Sequence, residues 1–185
     1  ANAALAIAMA AEADIDASRA ALSLRDFHAV PGRLERIPVA RGAAFVDYAH
    51  TPDAVERVLR ALAASGAQRV ITVLGCGGDR DPGKRGPMGA VAGRLSDIVI
   101  VTDDNPRSED PADIRAAVLA GARHAPAQLH EVSDRREAIR LALSLAGGND
   151  VVAVLGKGHE TGQEAAGVVH PFDDREVVRQ EGVRA

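Results

Sequence analysis

The chain has 185 residues, 46% of them hydrophobic and 26% charged, which excludes wholesale disorder and predicts one domain of roughly 100 to 150 residues plus an appendage. Aromatics make up only 2%, so Val, Ile, Leu and Ala must build the core. A net charge of −4 argues against nucleic-acid binding, which calls for a basic patch and stacking aromatics, and the lone cysteine, Cys76, excludes an internal disulfide and fits a reducing compartment.

Asn2 to Ala13 and Asp16 to Leu24 read as two Ala-rich helices separated by the acidic Asp14-Ile15-Asp16 break. They have no strand to pack against, so residues 1–31 are expected to be the helical end of a preceding domain. No stretch approaches the ~20 apolar residues of a membrane span, and the Ala-rich start lacks the basic region of a leader. The expected location is cytoplasmic. Val30-Pro31-Gly32 marks a hinge, and residues 32–185 are expected to form the main domain.

From Arg33 onward strands and helices alternate. Ala43 to Asp47, Val70 to Leu74, Ile98 to Thr102 and Val151 to Leu155 are apolar, β-branched-rich runs without polar alternation, as strands buried on both faces of a parallel sheet require. Helical spacing follows in Val55, Val58, Leu59 and Leu62, in Met88, Val91, Ala92 and Leu95, and in Ile114, Ala117, Val118 and Gly121. Thr51-Pro52 and Asp110-Pro111 each place a capping side chain before a proline at the first helical position. The pattern predicts a doubly wound, mostly parallel α/β sheet.

Each of the four apolar strands runs into a polar or glycine-rich segment. These are Asp47-Tyr48-Ala49-His50-Thr51-Pro52, Gly75-Cys76-Gly77-Gly78-Asp79-Arg80-Asp81, Asp104-Asn105-Pro106-Arg107 and Gly156-Lys157-Gly158-His159-Glu160. Ligands of open α/β sheets bind outside the carboxyl ends of the strands, so all four segments are expected to face one ligand. Arg80, Lys84, Arg85, Arg107 and Lys157 concentrate positive charge there, and arginine's planar fork suits a carboxylate or phosphate. Asp104 and Glu160 suit an ammonium group. Singly, each charge fits a solvated loop residue; together they describe a site for a small zwitterion with more than one carboxylate.

Two nucleotide-binding motifs are missed narrowly. Gly78 to Arg85 reads G-x-x-x-x-G-K-R, with Arg85 where a magnesium-binding hydroxyl belongs, and Arg80 stands where a dinucleotide fingerprint has its third small residue. Cys76 reads as a small buried thiol. His28, His124, His130 and His170 show no metal-ligand spacing, while His50 and His159 stand out only by lying in strand-end segments.

The four motifs, in this order, resemble those of the Mur ligase family, over nearly the whole chain from Asn2 to about Arg179. The resemblance is to the branch that adds meso-diaminopimelate to UDP-MurNAc-L-Ala-D-Glu in peptidoglycan precursor synthesis. It implies an ADP-forming ligase in which ATP phosphorylates the D-glutamyl carboxylate and the incoming amine attacks the acyl phosphate. It implies that Asp104, Asn105, Pro106 and Arg107 select meso-diaminopimelate, with Arg80, Gly156 and Glu160 completing its site, and that Asn2, Arg33, Asp47 and His50 lie near the nucleotide. The family's phosphate-binding loop, magnesium carboxylates and carbamylated lysine cannot be placed here, so ATP and Mg2+ are expected to be held mainly by a central domain, and the chain alone is expected to be inactive. Gly86-Pro87-Met88 replaces the common Pro-Leu-Met and alters only helix entry. A related ligase adding another amino acid, a non-catalytic amino-acid-binding module and a nucleotide-binding domain stay open as rivals.

Overall fold

A computed structural model of the protein describes residues 2–24 and 30–183, Asn2 by its backbone alone. His28 and the Asn2 side chain lie outside the described residues. The chain divides into two compact units, Ala1–Val30 and Pro31–Ala185.

In the first unit α1 (Asn2–Glu12) and α2 (Ala17–Ser23) are both Ala-rich helices. Asp14 takes a left-handed φ of 59°. It lets Asp14 N donate to Ala11 O at 3.1 Å and Ile15 N to Ala10 O at 2.9 Å, which satisfies the carbonyls left open at the end of α1. Asp16 caps α2 by accepting from Arg19 N at 2.9 Å.

The second unit runs β1 (Glu35–Ile37), β2 (Ala43–Asp47), α3 (Pro52–Ala63), β3 (Val70–Leu74), α4 (Arg85–Leu95), β4 (Ile98–Val101), α5 (Pro111–Ala122), β5 (Gln128–Glu131), α6 (Arg135–Leu145), β6 (Val151–Leu155), β7 (Gly162–Ala165), β8 (Val168–Pro171) and α7 (Asp174–Gly182). One sheet has the order β1-β2-β6-β3-β4-β5, and β7 and β8 form a separate hairpin. Only β1 pairs antiparallel within the large sheet.

Every residue of β3, β4 and β6 is buried, as their unbroken apolar runs require. One face carries α3, α4 and α5, whose Val55, Leu59, Met88, Ile114 and Val118 pack against Leu74, Val99 and Leu155. The other carries α6 and α7, whose Ile139, Leu143, Val177 and Val178 pack against Ile71, Ile100 and Val154. Each such side chain contributes roughly 1.5–3 kcal/mol of transfer free energy. The capping prolines sit as expected: Thr51 Oγ1 accepts from Ala54 N at 3.3 Å, and Asp110 Oδ1 from Ala112 N at 2.8 Å.

Topology then positions the site. The chain moves outward from β3 through β4 to β5, and α6 returns it to β6 on the other side of β3. The direction of winding reverses between β3 and β6, which opens a crevice at their carboxyl ends. Register keeps those ends level: Asp47 and Leu74 both pair with Leu155, and Leu74 pairs with Val101.

Candidate functional site

Because the strand ends are level, the four segments meet at one edge. They line a cavity of about 500 Å³ whose walls include Arg80, Asp104, Asn105, Arg107, Gly156 and Glu160. His50, Tyr48 and Lys84 extend its wall toward the start of α3. Pro106 does not line it; it borders a second cavity with Pro111, Gln163 and Phe172.

The loops after β3 and β4 are stitched together by backbone geometry. Gly78 N donates to Asn105 O at 2.9 Å, and a Cβ at Gly78 would overlap the Pro106 carbonyl. Asp79, at a φ of 52°, accepts from Ser108 Oγ at 2.7 Å and Ser108 N at 3.1 Å. Those two bonds hold its carboxyl below the usual carboxylate range. Asp79 is therefore a cross-link between the two loops.

The expectation that five cations ring the edge is corrected. Lys157 is fully buried and donates to Asn105 Oδ1 at 2.8 Å, with Glu160 Oε2 at 3.4 Å and Asp104 Oδ1 at 3.6 Å. Arg85 is buried under the glycine loop and pairs with Glu109 Oε1 at 2.8 Å. Both turn inward because their immediate neighbours supply acceptors that water would otherwise have to replace. Arg80 and Arg107 are the guanidinium groups on the cavity wall, joined by the Lys84 ammonium, which donates to His50 O at 2.9 Å.

Asn105 sits at the centre of the polar network. Its Oδ1 accepts from Lys157 Nζ and, at 3.0 Å, from Glu164 N, while its Nδ2 donates to Glu160 Oε2 at 2.9 Å. With two donors on one side, the amide orientation is determined, and Glu160 is held in place. Arg107 takes a φ of 53°, a conformation that is strained for a residue with a side chain. Its Nη1 donates to Gly78 O at 2.7 Å.

Behind the cavity a feature absent from the sequence reading supports two of the loops. Arg135 and Asp174, both fully buried, form a bidentate pair with both bonds at 2.8 Å. Arg135 Nη2 also donates to Leu155 O at 3.0 Å and Nη1 to Asp103 O at 3.4 Å. One guanidinium thereby ties the ends of β4 and β6 to α6 and α7. No spacing in the sequence signals a pair so far apart.

The residues expected near a nucleotide fall differently. Arg33 stacks over the Tyr48 ring with Cζ 4.7 Å from its centroid, and the His50 and His159 rings pack on Tyr48 at 4.5 and 5.3 Å. His50 reaches the cavity wall, with its Nδ1 2.8 Å from Tyr48 O. Asp47 is buried, and its two oxygens accept from Leu34 N at 2.6 Å and Ala49 N at 2.7 Å. Its carboxylate is already committed to backbone. Cys76 is buried against Met88 Sδ at 3.6 Å, and burial pushes its thiol up to about 11, which makes it an unreactive packing residue rather than a nucleophile.

The profile of the family described as "Mur ligase, glutamate ligase domain" matches residues 32–158. This chain belongs to the Mur ligase family. Among relatives, the UDP-N-acetylmuramoyl-L-alanyl-D-glutamate–2,6-diaminopimelate ligase of Chelativorans sp. (strain BNC1) is 50% identical over 181 residues, covering 97% of this chain and 37% of that protein. The Caulobacter vibrioides protein of the same name is 53% identical over 161 residues, covering 86% and 32%. A solved structure of a ligase so named superposes with a TM-score of 0.78 at 40% identity, covering 95% of this chain and 36% of that one. A Mycobacterium tuberculosis folylpolyglutamate synthase complexed with ADP and AMPPCP gives a TM-score of 0.60 at 26% identity, covering 77% and 33%. This chain thus spans about a third of the length of the relatives it matches.

Proposed function

We propose that this chain is the amino-acid-binding part of an ATP-dependent ligase that adds meso-diaminopimelate to UDP-MurNAc-L-Ala-D-Glu. Residues 32–185 are the binding domain, and residues 1–31 are the end of the central, ATP-holding domain. The observation that carries the reading is the convergence of Arg80, Asp104, Asn105, Arg107, Gly156 and Glu160 on one cavity at the winding reversal. Relatives named for this reaction, at about half identity, support it.

The chemistry of the wall suits one end of meso-diaminopimelate. Arg80 and Arg107 offer guanidinium edges to a carboxylate, and Asp104 and Glu160 offer oxygens to an ammonium group. Lysine has no carboxylate at that end and would leave a guanidinium without a partner, which supports strong discrimination. With that end held, the amine at the other end is presented to the D-glutamyl acyl phosphate made from ATP. Its lone pair forms the amide bond, the carbon–oxygen bond to phosphate breaks, and phosphate and a proton leave. The domain acts by proximity and orientation, and Arg33 and His50 are its contacts toward the nucleotide. In this reading ATP and Mg2+ are held mainly by the central domain.

Calorimetric titration with meso-diaminopimelate, L-lysine and ATP tests the reading. Selective binding of meso-diaminopimelate that disappears in Arg107→Ala is the expected result. Equal binding of lysine, or ATP binding alone, would replace it with a ligase of other specificity or a nucleotide-binding domain.

A further inference from the structure

We infer that Glu164, in the β7–β8 hairpin, is a positioning residue that sets the aim of Arg107 and thereby the preference for a ligand bearing a carboxylate at the arginine end. The inference rests on the proposed role of the cavity. Glu164 is not part of the cavity wall, yet it touches two of the residues that form it. Its main-chain N–H donates to Asn105 Oδ1 at 3.0 Å, its main-chain carbonyl accepts from Arg107 N at 3.0 Å, and its carboxylate Oε2 lies 3.2 Å from Arg107 Nε. Ala166 N closes the bridge by donating to Arg107 O at 2.7 Å.

These contacts explain how Arg107 holds a left-handed backbone and a fixed side chain together. The two main-chain bonds of the hairpin stabilise the φ of 53°, which an isolated loop would relax. Gly78 O accepts from Nη1 and the Glu164 carboxylate pairs with the guanidinium at Nε, while the same side chain lines the cavity that would receive a ligand carboxylate. A guanidinium anchored by one hydrogen bond and one ion pair loses less rotamer freedom when a ligand arrives. The Glu164 side chain is 40% exposed, so replacing it leaves the core intact.

The test compares Glu164→Ala, Glu164→Gln and Arg107→Ala with the unaltered chain, by titration with meso-diaminopimelate and L-lysine and by 15N NMR of the arginine guanidinium groups. Glu164→Ala is expected to weaken meso-diaminopimelate binding about three- to ten-fold, with lysine binding and thermal midpoint unchanged. Glu164→Gln, which keeps an oxygen at the same reach, is expected to fall between. Without ligand, the two terminal nitrogens of Arg107 should be resolved in the unaltered chain and averaged by rotation in Glu164→Ala. If Arg107→Ala abolishes binding while Glu164→Ala changes neither selectivity nor the guanidinium signals, this inference fails alone. If Arg107→Ala also leaves binding unchanged, the proposed site itself fails.

Discussion

Lys157 Nζ donates to Asn105 Oδ1 at 2.8 Å inside the protein, with the Lys157 side chain fully buried. This ammonium neutralises part of the Asp104 and Glu160 charge from within and orients the amide that holds Glu160. Lys157→Met removes the cation, leaves Asp104 and Glu160 without their buried counterion and takes one of two donors from Asn105 Oδ1, so it is expected to cost about 3–5 kcal/mol. Lys84→Met, on the cavity wall, is expected to stay within about 0.5 kcal/mol. Chemical denaturation of both variants measures this; equal stabilities would show that Lys157 is not the counterion of this network.

Sequence patterning reveals the buried framework here more readily than its edges or its polar contacts. β2, β3, β4 and β6 are legible because strands covered on both faces need continuous apolar runs, and Val70–Leu74 and Val151–Leu155 supply them. β5 reads Gln128-Leu129-His130-Glu131 and lies at the sheet edge, where half-exposure permits polar residues and erases that signal. β1 and β7 are too short and too polar to stand out, and β8 is a four-residue, fully exposed strand with no buried face to pattern it. The strand-end motifs locate the cavity, but a lysine between two glycines gives no hint that it points inward. Glu164 and the Arg135–Asp174 pair were likewise hidden, because their meaning comes from residues distant in the chain.

Cys76 is expected to resist alkylation at neutral pH, since burial pushes its thiol up to about 11 and the thiolate is the reactive form. In the folded protein the iodoacetamide rate should climb only as pH approaches that value, whereas the unfolded chain should titrate at about 8.5. The sign for stability follows from the raised folded value. The contribution is present in full below the unfolded pKa and is lost as pH rises toward about 11. Cys76→Ala should therefore flatten the alkaline limb of a stability-versus-pH curve.

Gly78→Ala is expected to separate the loops after β3 and β4, because its Cβ would overlap the Pro106 carbonyl, a backbone atom that cannot rotate away. Overpacking of this kind costs about 1–3 kcal/mol, and here it displaces Asn105 and Arg107 as well, so meso-diaminopimelate binding should be lost along with the stability. Gly83→Ala is the control in the same segment. Its Cβ would meet only the Asp81 carboxylate oxygen at 3.1 Å, the end of a movable side chain, and binding should persist. Equal affinity in both variants would show that the Gly78–Pro106 approach does not set the geometry of the wall.

The Arg135–Asp174 pair makes the C-terminal helix part of the site's support. Arg135 spends its remaining donors on Leu155 O and Asp103 O, the residues just before Gly156 and Asp104. Asp174→Asn leaves a buried guanidinium short of charge and is expected to cost about 3–5 kcal/mol, while the paired replacement Arg135→Met with Asp174→Leu should recover much of that loss. Binding separates the two functions of the pair. The double variant keeps packing but loses the bonds to both carbonyls, so its affinity for meso-diaminopimelate should stay below that of the unaltered chain after its stability has recovered. Calorimetry and denaturation on the same samples decide it. Full recovery of affinity in the double variant would reduce the pair to a filler of the core, with no part in holding the two loops at the cavity.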